Sequence, residues 1–225
     1  MGNHPLTRGN PMHPIILIRH GQAEHNLGEL TGGWSSTSLT DLGRRQVEAL
    51  ASRLKDELET PCLLYHSDIK RATQTAEIIA EATGLTPIPD LGLREFNNGI
   101  AADKTKAEAE PYYTPPTEPI LDWQPYPGAE TWRKFYRRVS DCMDALVRGQ
   151  DRRMVIVSHG GTIVNIVAWW LRLEMETLSY VSFKTSPASV SVLTVSDLNE
   201  RTLERLSDTA HLHSLGLSPP IPQSR

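Results

Sequence analysis

Cysteine is scarce in this chain: two in 225 residues, Cys62 and Cys142. No Cys-x-x-Cys pair exists, so spacing excludes a zinc knuckle and a redox dithiol. Both thiols are expected to be reduced and packed in the core, which favours a cytoplasmic location. No run approaches the ~18 consecutive apolar residues of a membrane span. The first dozen residues lack the apolar core of a signal peptide. Gly2 does not open a myristoylation motif either, because Leu6 stands where Ser or Thr is needed. Basic charge is not in excess: 23 Lys and Arg against 27 Asp and Glu give a net charge of -4. Neither nucleic acid nor a membrane is therefore expected as a partner. No repeat of fixed period is visible. Arginine is missing altogether between Arg94 and Arg133.

What the chain does have is a feature that occurs twice. Ile15-Ile16-Leu17-Ile18 runs into Arg19-His20-Gly21, and Met154-Val155-Ile156-Val157 runs into Ser158-His159-Gly160-Gly161. A short, continuous apolar run ending at glycine reads as an interior strand of a parallel sheet. Between these runs, strands alternate with helical patterns. Thr40 is a candidate N-cap for a helix to about Leu58, with Val47, Leu50 and Leu54 on one face. A short strand at Leu63–Tyr65 precedes a helix from Ser67 or Asp68, as cap, to Gly84, and Thr86–Ile88 is a further strand. A helix from about Glu130 turns Trp132, Phe135, Val139, Cys142 and Leu146 to one side. After the second apolar run come a helix over Thr162–Leu171 and strands near Tyr180–Phe183 and Val190–Val195. The alternation predicts an α/β fold: a three-layer α/β/α sandwich with a mostly parallel central sheet. One domain over residues 14–206 is expected, with a loose arm at 1–13 and a loose tail at 207–225. Its insertion at 100–128 is rich in proline and aromatics, an ordered excursion that serves as an active-site lid or as a structural loop or interface.

Ligands of such sheets sit outside the carboxyl ends of the strands. If the two apolar strands are neighbours, Arg19, His20 and His159 meet there. Arg71 falls in the first turn of a helix that follows another strand, where a cation is unfavourable unless an anion intervenes. Two arginines and two histidines make a pocket for a phosphoryl group, and a histidine can take that group covalently. A leaving alkoxide then needs a proton, for which Asp90 and Glu95 are the candidates.

These blocks resemble the histidine phosphatase superfamily, in its phosphoglycerate mutase-like branch. The strand-Arg19-His20-Gly21 signature is followed by Gln22, Glu24 and Asn26 in the family manner. Thr31-Gly32-Gly33-Trp34 and Leu39-Thr40-Asp41-Leu42-Gly43 are similar to two further elements. Ser67-Asp68-Ile69-Lys70-Arg71-Ala72-Thr73-Gln74-Thr75-Ala76 and Ser158-His159-Gly160-Gly161 match two more, so the resemblance covers roughly residues 14 to 195. It implies a metal-independent, cofactor-free phosphatase acting on a small phosphate ester through a phosphohistidine on His20. Arg19, Arg71 and His159 would clamp the phosphate and Glu95 would be the proton donor. Asn26, Gln22 and Gly160 would add substrate contacts. The family's Gly-x-Trp-Glu-Gly element is absent after Gly99, and the insertion lacks the paired arginines with which mutases grip a carboxylate. Gly160-Gly161 is phosphatase-like where mutases have Gly-Asn. A hydrolase is therefore favoured, with Lys104 and Lys106 still able to meet an acidic substrate. A phosphoglycerate mutase and a catalytically weak phospho-ligand-binding module are the alternatives. Arg137-Arg138 and Arg152-Arg153 read as solvated charges. The oligomeric state is left open, a homodimer among the options.

Overall fold

The structure, a computed structural model, describes residues 13–58, 61–213 and 215–217. Six strands form one sheet: β1 (Ile15–Arg19), β2 (Cys62–His66), β3 (Pro87–Pro89), β4 (Arg153–Ser158), β5 (Val190–Val195) and β6 (Arg201–Asp208). Their order is β3-β2-β4-β1-β5-β6. The first four are parallel; β5 runs against β1, and β6, antiparallel to β5, runs in the direction of the first four. The two apolar runs are neighbours, with Arg19 in register with Ser158. They read as unbroken apolar because both faces are covered. Ile18, Val155 and Val157 pack with Val47, Leu50, Leu54 and Ala76, from α1 (Asp41–Glu57) and α2 (Lys70–Thr83). Ile15, Leu17 and Ile156 pack with Phe135, Val139, Met143 and Ile166 on the opposite face. Those come from α4 (Trp132–Val147) and α5 (Gly160–Leu171), while α3 (Lys106–Ala109) and α6 (Ala210–His213) are single turns. This is the expected α/β/α sandwich.

Several local expectations are corrected. Thr40 caps α1 as expected, its hydroxyl accepting from Gly43 N–H at 3.0 Å. Neither Ser67 nor Asp68 caps α2; Ile69 holds the N-cap position, with no side-chain bond. Both polar side chains are engaged elsewhere, Ser67 on His159 and Asp68 on Arg94. Tyr180–Phe183 is not a strand: β5 occupies the edge of β1, and β6 the far edge of β5. The tail expected to be loose from Ser207 instead continues β6 to Asp208 and adds α6, whose Leu212 is fully buried. β6 escapes notice because an edge strand is solvated and charged, as Arg201, Glu204 and Arg205 show. The arm at 1–12 and the last residues from 218 lie outside the described residues. Among the described residues, no helix is long and apolar enough to cross a membrane.

The insertion is an ordered excursion of 3-10 turns. Ile100 N–H donates to Pro127 O at 3.0 Å and Thr114 N–H to Pro125 O at 2.8 Å, closing it on itself. Thr31 N–H to Lys104 O (2.9 Å) and Lys106 N–H to Glu29 O (2.9 Å) tie it to the loop that follows β1.

Candidate active site

The carboxyl ends of β1, β2 and β4 converge on one cleft of about 760 Å³. His20 follows β1 directly, and its N–H donates to Ser158 O at 3.0 Å. The chain must then turn past the start of α1. A methyl carbon on Gly21 would lie 2.5 Å from Gly43 O, and one on Gly43 would lie 1.9 Å from Gln22 O. Only two facing glycines permit that approach, which is why both blocks carry one.

His20 Nδ1 is 2.7 Å from Gly21 O. A carbonyl only accepts, so Nδ1 carries the proton and Nε2 presents a lone pair. Arg71 Nε donates to that Nε2 at 3.2 Å. Burial, then the charges of Arg71 and Arg19, hold the imidazole well below its usual pKa. The ring is therefore neutral and fixed in orientation.

Arg71 is the largest charged side chain buried in the molecule, 1% exposed. Its fork donates to Gly33 O at 2.7 Å and Ser35 O at 3.0 Å. Burial lowers its pKa to about 10, so it stays charged at neutral pH. Arg19 is half-buried and held by Thr185 O, while its buried Nε has no protein partner among the described residues. His159 is the N-cap of α5, its ring centroid 5.1 Å from that of His20. Ser67 Oγ accepts from Ile69 N–H (3.3 Å) and lies 2.8 Å from His159 Nε2. His159 Nδ1 is buried and has no partner among the described residues. Two unpaired buried nitrogens near the His20 ring, Arg19 Nε and His159 Nδ1, suit an anion.

Glu95 lines the same cleft. Both of its oxygens are held by backbone: Oε1 by Phe96 N–H (2.9 Å) and Oε2 by Gly161 N–H (3.0 Å). Its own carbonyl accepts from Trp34 Nε1 at 2.6 Å and from Arg138 at 3.0 Å. Arg138 also holds the carbonyls of Gly92 and Arg94 and pairs with Glu130. It is not the solvated charge that its sequence context implies. Asp90 is outside the cleft, accepting from Gly92 N–H at 2.7 Å as the cap of a 3-10 turn.

The secondary contacts divide. Asn26 lines the cleft; its Oδ1 accepts Ala23 N–H at 2.9 Å. Gln22 points to α1, its Oε1 accepting from Thr40 at 2.8 Å. Gly160 starts α5 beneath Arg19, while Gly161 is the one that reaches the cleft. Of the two lysines, Lys106 lines the wall, with Glu110, Tyr113 and Tyr126 of the insertion. His25 escapes the sequence reading. Its ring is 5.6 Å from that of His20, and its pKa is lowered to about 3 by burial and then by Arg71 and Arg19. A third imidazole five residues past His20 is the signal that pointed to it. Ser67 and Gly161 were visible within matched blocks; Arg138 carried no signal. Among the described residues no group of three or more His, Cys, Asp or Glu is placed to hold a metal ion.

Comparison with known proteins gives this geometry a context. The family model for the histidine phosphatase superfamily (branch 1) matches residues 15–209. A protein named probable phosphoglycerate mutase GpmB, from Proteus mirabilis, is 28% identical over 217 residues, covering 90% of this chain and 96% of its own. The solved structure of a mycobacterial glucosyl-3-phosphoglycerate phosphatase superposes with a TM-score of 0.71 at 27% identity, over 87% of this chain and 98% of that one. The α-ribazole phosphatase of Shigella flexneri, at 23% identity, shares the fold with a TM-score of 0.73, over 87% of this chain and 96% of its own.

Proposed function

The chain belongs to the histidine phosphatase superfamily, and from that premise we propose that it hydrolyses phosphate monoesters through a phosphohistidine on His20. The observation that carries the reading is the His20 imidazole. It is buried and neutral, with Nδ1 tied to Gly21 O and Nε2 met by Arg71. Nε2 attacks phosphorus as the ester P–O bond breaks. Glu95, in its acid form, gives its proton to the departing oxygen. Water then attacks phosphorus, its proton passes to the Glu95 carboxylate, and the P–N bond breaks to return free His20 and inorganic phosphate. Arg19, Arg71 and His159 meet the three equatorial oxygens, whose charge they stabilise without reorganising. Asn26 adds a donor at the rim. No step calls on a metal.

Hydrolysis is favoured over mutase chemistry by the cleft wall. The cation that the insertion offers a substrate carboxylate is Lys106, and Glu110 lines the same wall. Phosphate release from 4-nitrophenyl phosphate without added metal, wild type beside His20→Ala, tests the reading. Activity lost at least about 10³-fold in the variant supports it; equal activity in both would sink it. Isomer formation from 3-phosphoglycerate, in place of phosphate release, would move the protein to the mutases. Glu95→Gln should slow alkyl phosphates about 10²-fold or more while sparing the nitrophenyl ester, whose leaving group needs no proton.

A further inference from the structure

A second cavity of about 350 Å³ adjoins the catalytic cleft. Ile120 and Leu121 of the insertion, Phe135 of α4, Val164 of α5, and Met175 and Leu178 of a 3-10 turn supply its walls. No charged side chain lines it. Packed interiors do not leave voids of that size, whereas ligand pockets of mostly apolar lining begin at about this volume.

Its position gives the cavity a role. Gly161 and Trp132 line both spaces. Gly161 donates its N–H to Glu95 Oε2, and a methyl carbon there would lie 2.5 Å from Glu95 Oε1 and 3.2 Å from Phe135. The apolar cavity thus begins one glycine away from the carboxyl that protonates the leaving oxygen. A leaving group emerging beside Glu95 has two directions open to it. One runs along Lys106, Glu110 and Tyr113. The other passes the edge of Trp132 into a space without charge.

The geometry points to the second: the apolar cavity is the leaving-group pocket. The substrates are phosphate monoesters carrying a ring-sized apolar body directly beyond the ester oxygen. The inference rests on the phosphatase reading for its meaning, and its test separates the two. The probes are 2-naphthyl phosphate and phenyl phosphate, whose leaving groups differ little in acidity but by one fused ring. Wild type should favour the naphthyl ester at least about 10-fold in kcat/KM. Val164→Phe, which fills the cavity from a helix face, and Leu178→Glu, which charges its rim from a surface turn, should each bring the ratio close to one. Inhibition by vanadate, which reads only the phosphate clamp, should not change in either variant. A wild-type ratio near one, or a ratio untouched by both substitutions, overturns the pocket. Calorimetric binding of the same two esters to His20→Ala gives the same comparison without turnover. Naphthyl preference there with no activity in wild type would sink the phosphatase and keep the pocket; activity without preference would do the reverse.

Discussion

A methyl group at Gly161 would collide with the Glu95 carboxyl at 2.5 Å, so Gly161→Ala should displace the acid while leaving the nucleophile intact. The expected outcome is a kcat for alkyl phosphates lowered about 10²-fold, with vanadate inhibition within about twofold of wild type. A parallel loss of vanadate affinity would count against it. His25 invites a different test. Asn26 Nδ2 meets His25 Nε2 at 3.1 Å, and His25 Nδ1 meets Thr37 Oγ1 at 3.0 Å. With its proton on Nδ1, the neutral ring accepts from Asn26 and so fixes which end of that amide faces the cleft. His25→Leu should raise KM about tenfold with kcat nearly kept, and His25→Gln should restore most of it; an unchanged KM in the leucine variant would remove that role. At this scale the sequence was most legible where a residue type has few uses. Histidine and arginine at strand ends announced themselves: Arg19, His20, Arg71 and Glu95 line one cleft, and His159 lies buried against the His20 ring. Gln22 looked equivalent to Asn26, but an amide serves a helix cap as readily as a ligand.

The segment from Asp90 to Phe96 has little regular structure of its own, yet it brings Glu95 to the cleft. Arg138 on α4 holds three of its carbonyls and is itself pinned by Glu130. Arg94 is anchored on Asp68 and stacked 4.6 Å from Trp34. Arg138→Met keeps the stem and removes the fork, leaving those carbonyls and Glu130 without their partner. A loss of about 2–4 kcal/mol in urea unfolding is expected, with a larger fall in kcat for alkyl than for nitrophenyl esters. Stability within about 0.5 kcal/mol of wild type would show the fork to be dispensable. Elements were read well wherever burial imposed a period, as in α1, α2 and β4. They were misread at the periphery. β6 has one solvated face and charged side chains, and Tyr180–Phe183 has the composition of a strand but no free edge to join.

For the molecule as a whole, two fully buried imidazoles at one site have a thermodynamic effect. His20 and His159 both titrate well below their usual range, mainly through burial. The unfolded chain takes up protons on them near pH 6.5, and the folded chain does not, so their contribution is intact above that pH and declines below it. Each removes about 1.4 kcal/mol per pH unit on the acid side. Urea unfolding should show wild type losing about 1.4 kcal/mol more than His159→Gln in all between pH 7.5 and 5.5. Equal slopes would mean that His159 is charged in the folded protein. Inorganic phosphate should flatten the wild-type slope, because an anion between the rings favours their protonated forms.

The order of the sheet has a consequence in time. The strand that leads into His20, β1, is the first of the six to emerge in synthesis, but both of its neighbours, β4 and β5, come from the last third of the chain. Until they are made, His20 has no Ser158 carbonyl to hold its backbone and no His159 beside it. An unfinished chain therefore lacks the assembled cleft. On the phosphatase reading, the site is complete only once β4 and β5 have closed on β1, so no partly built molecule would carry an active hydrolase at its front.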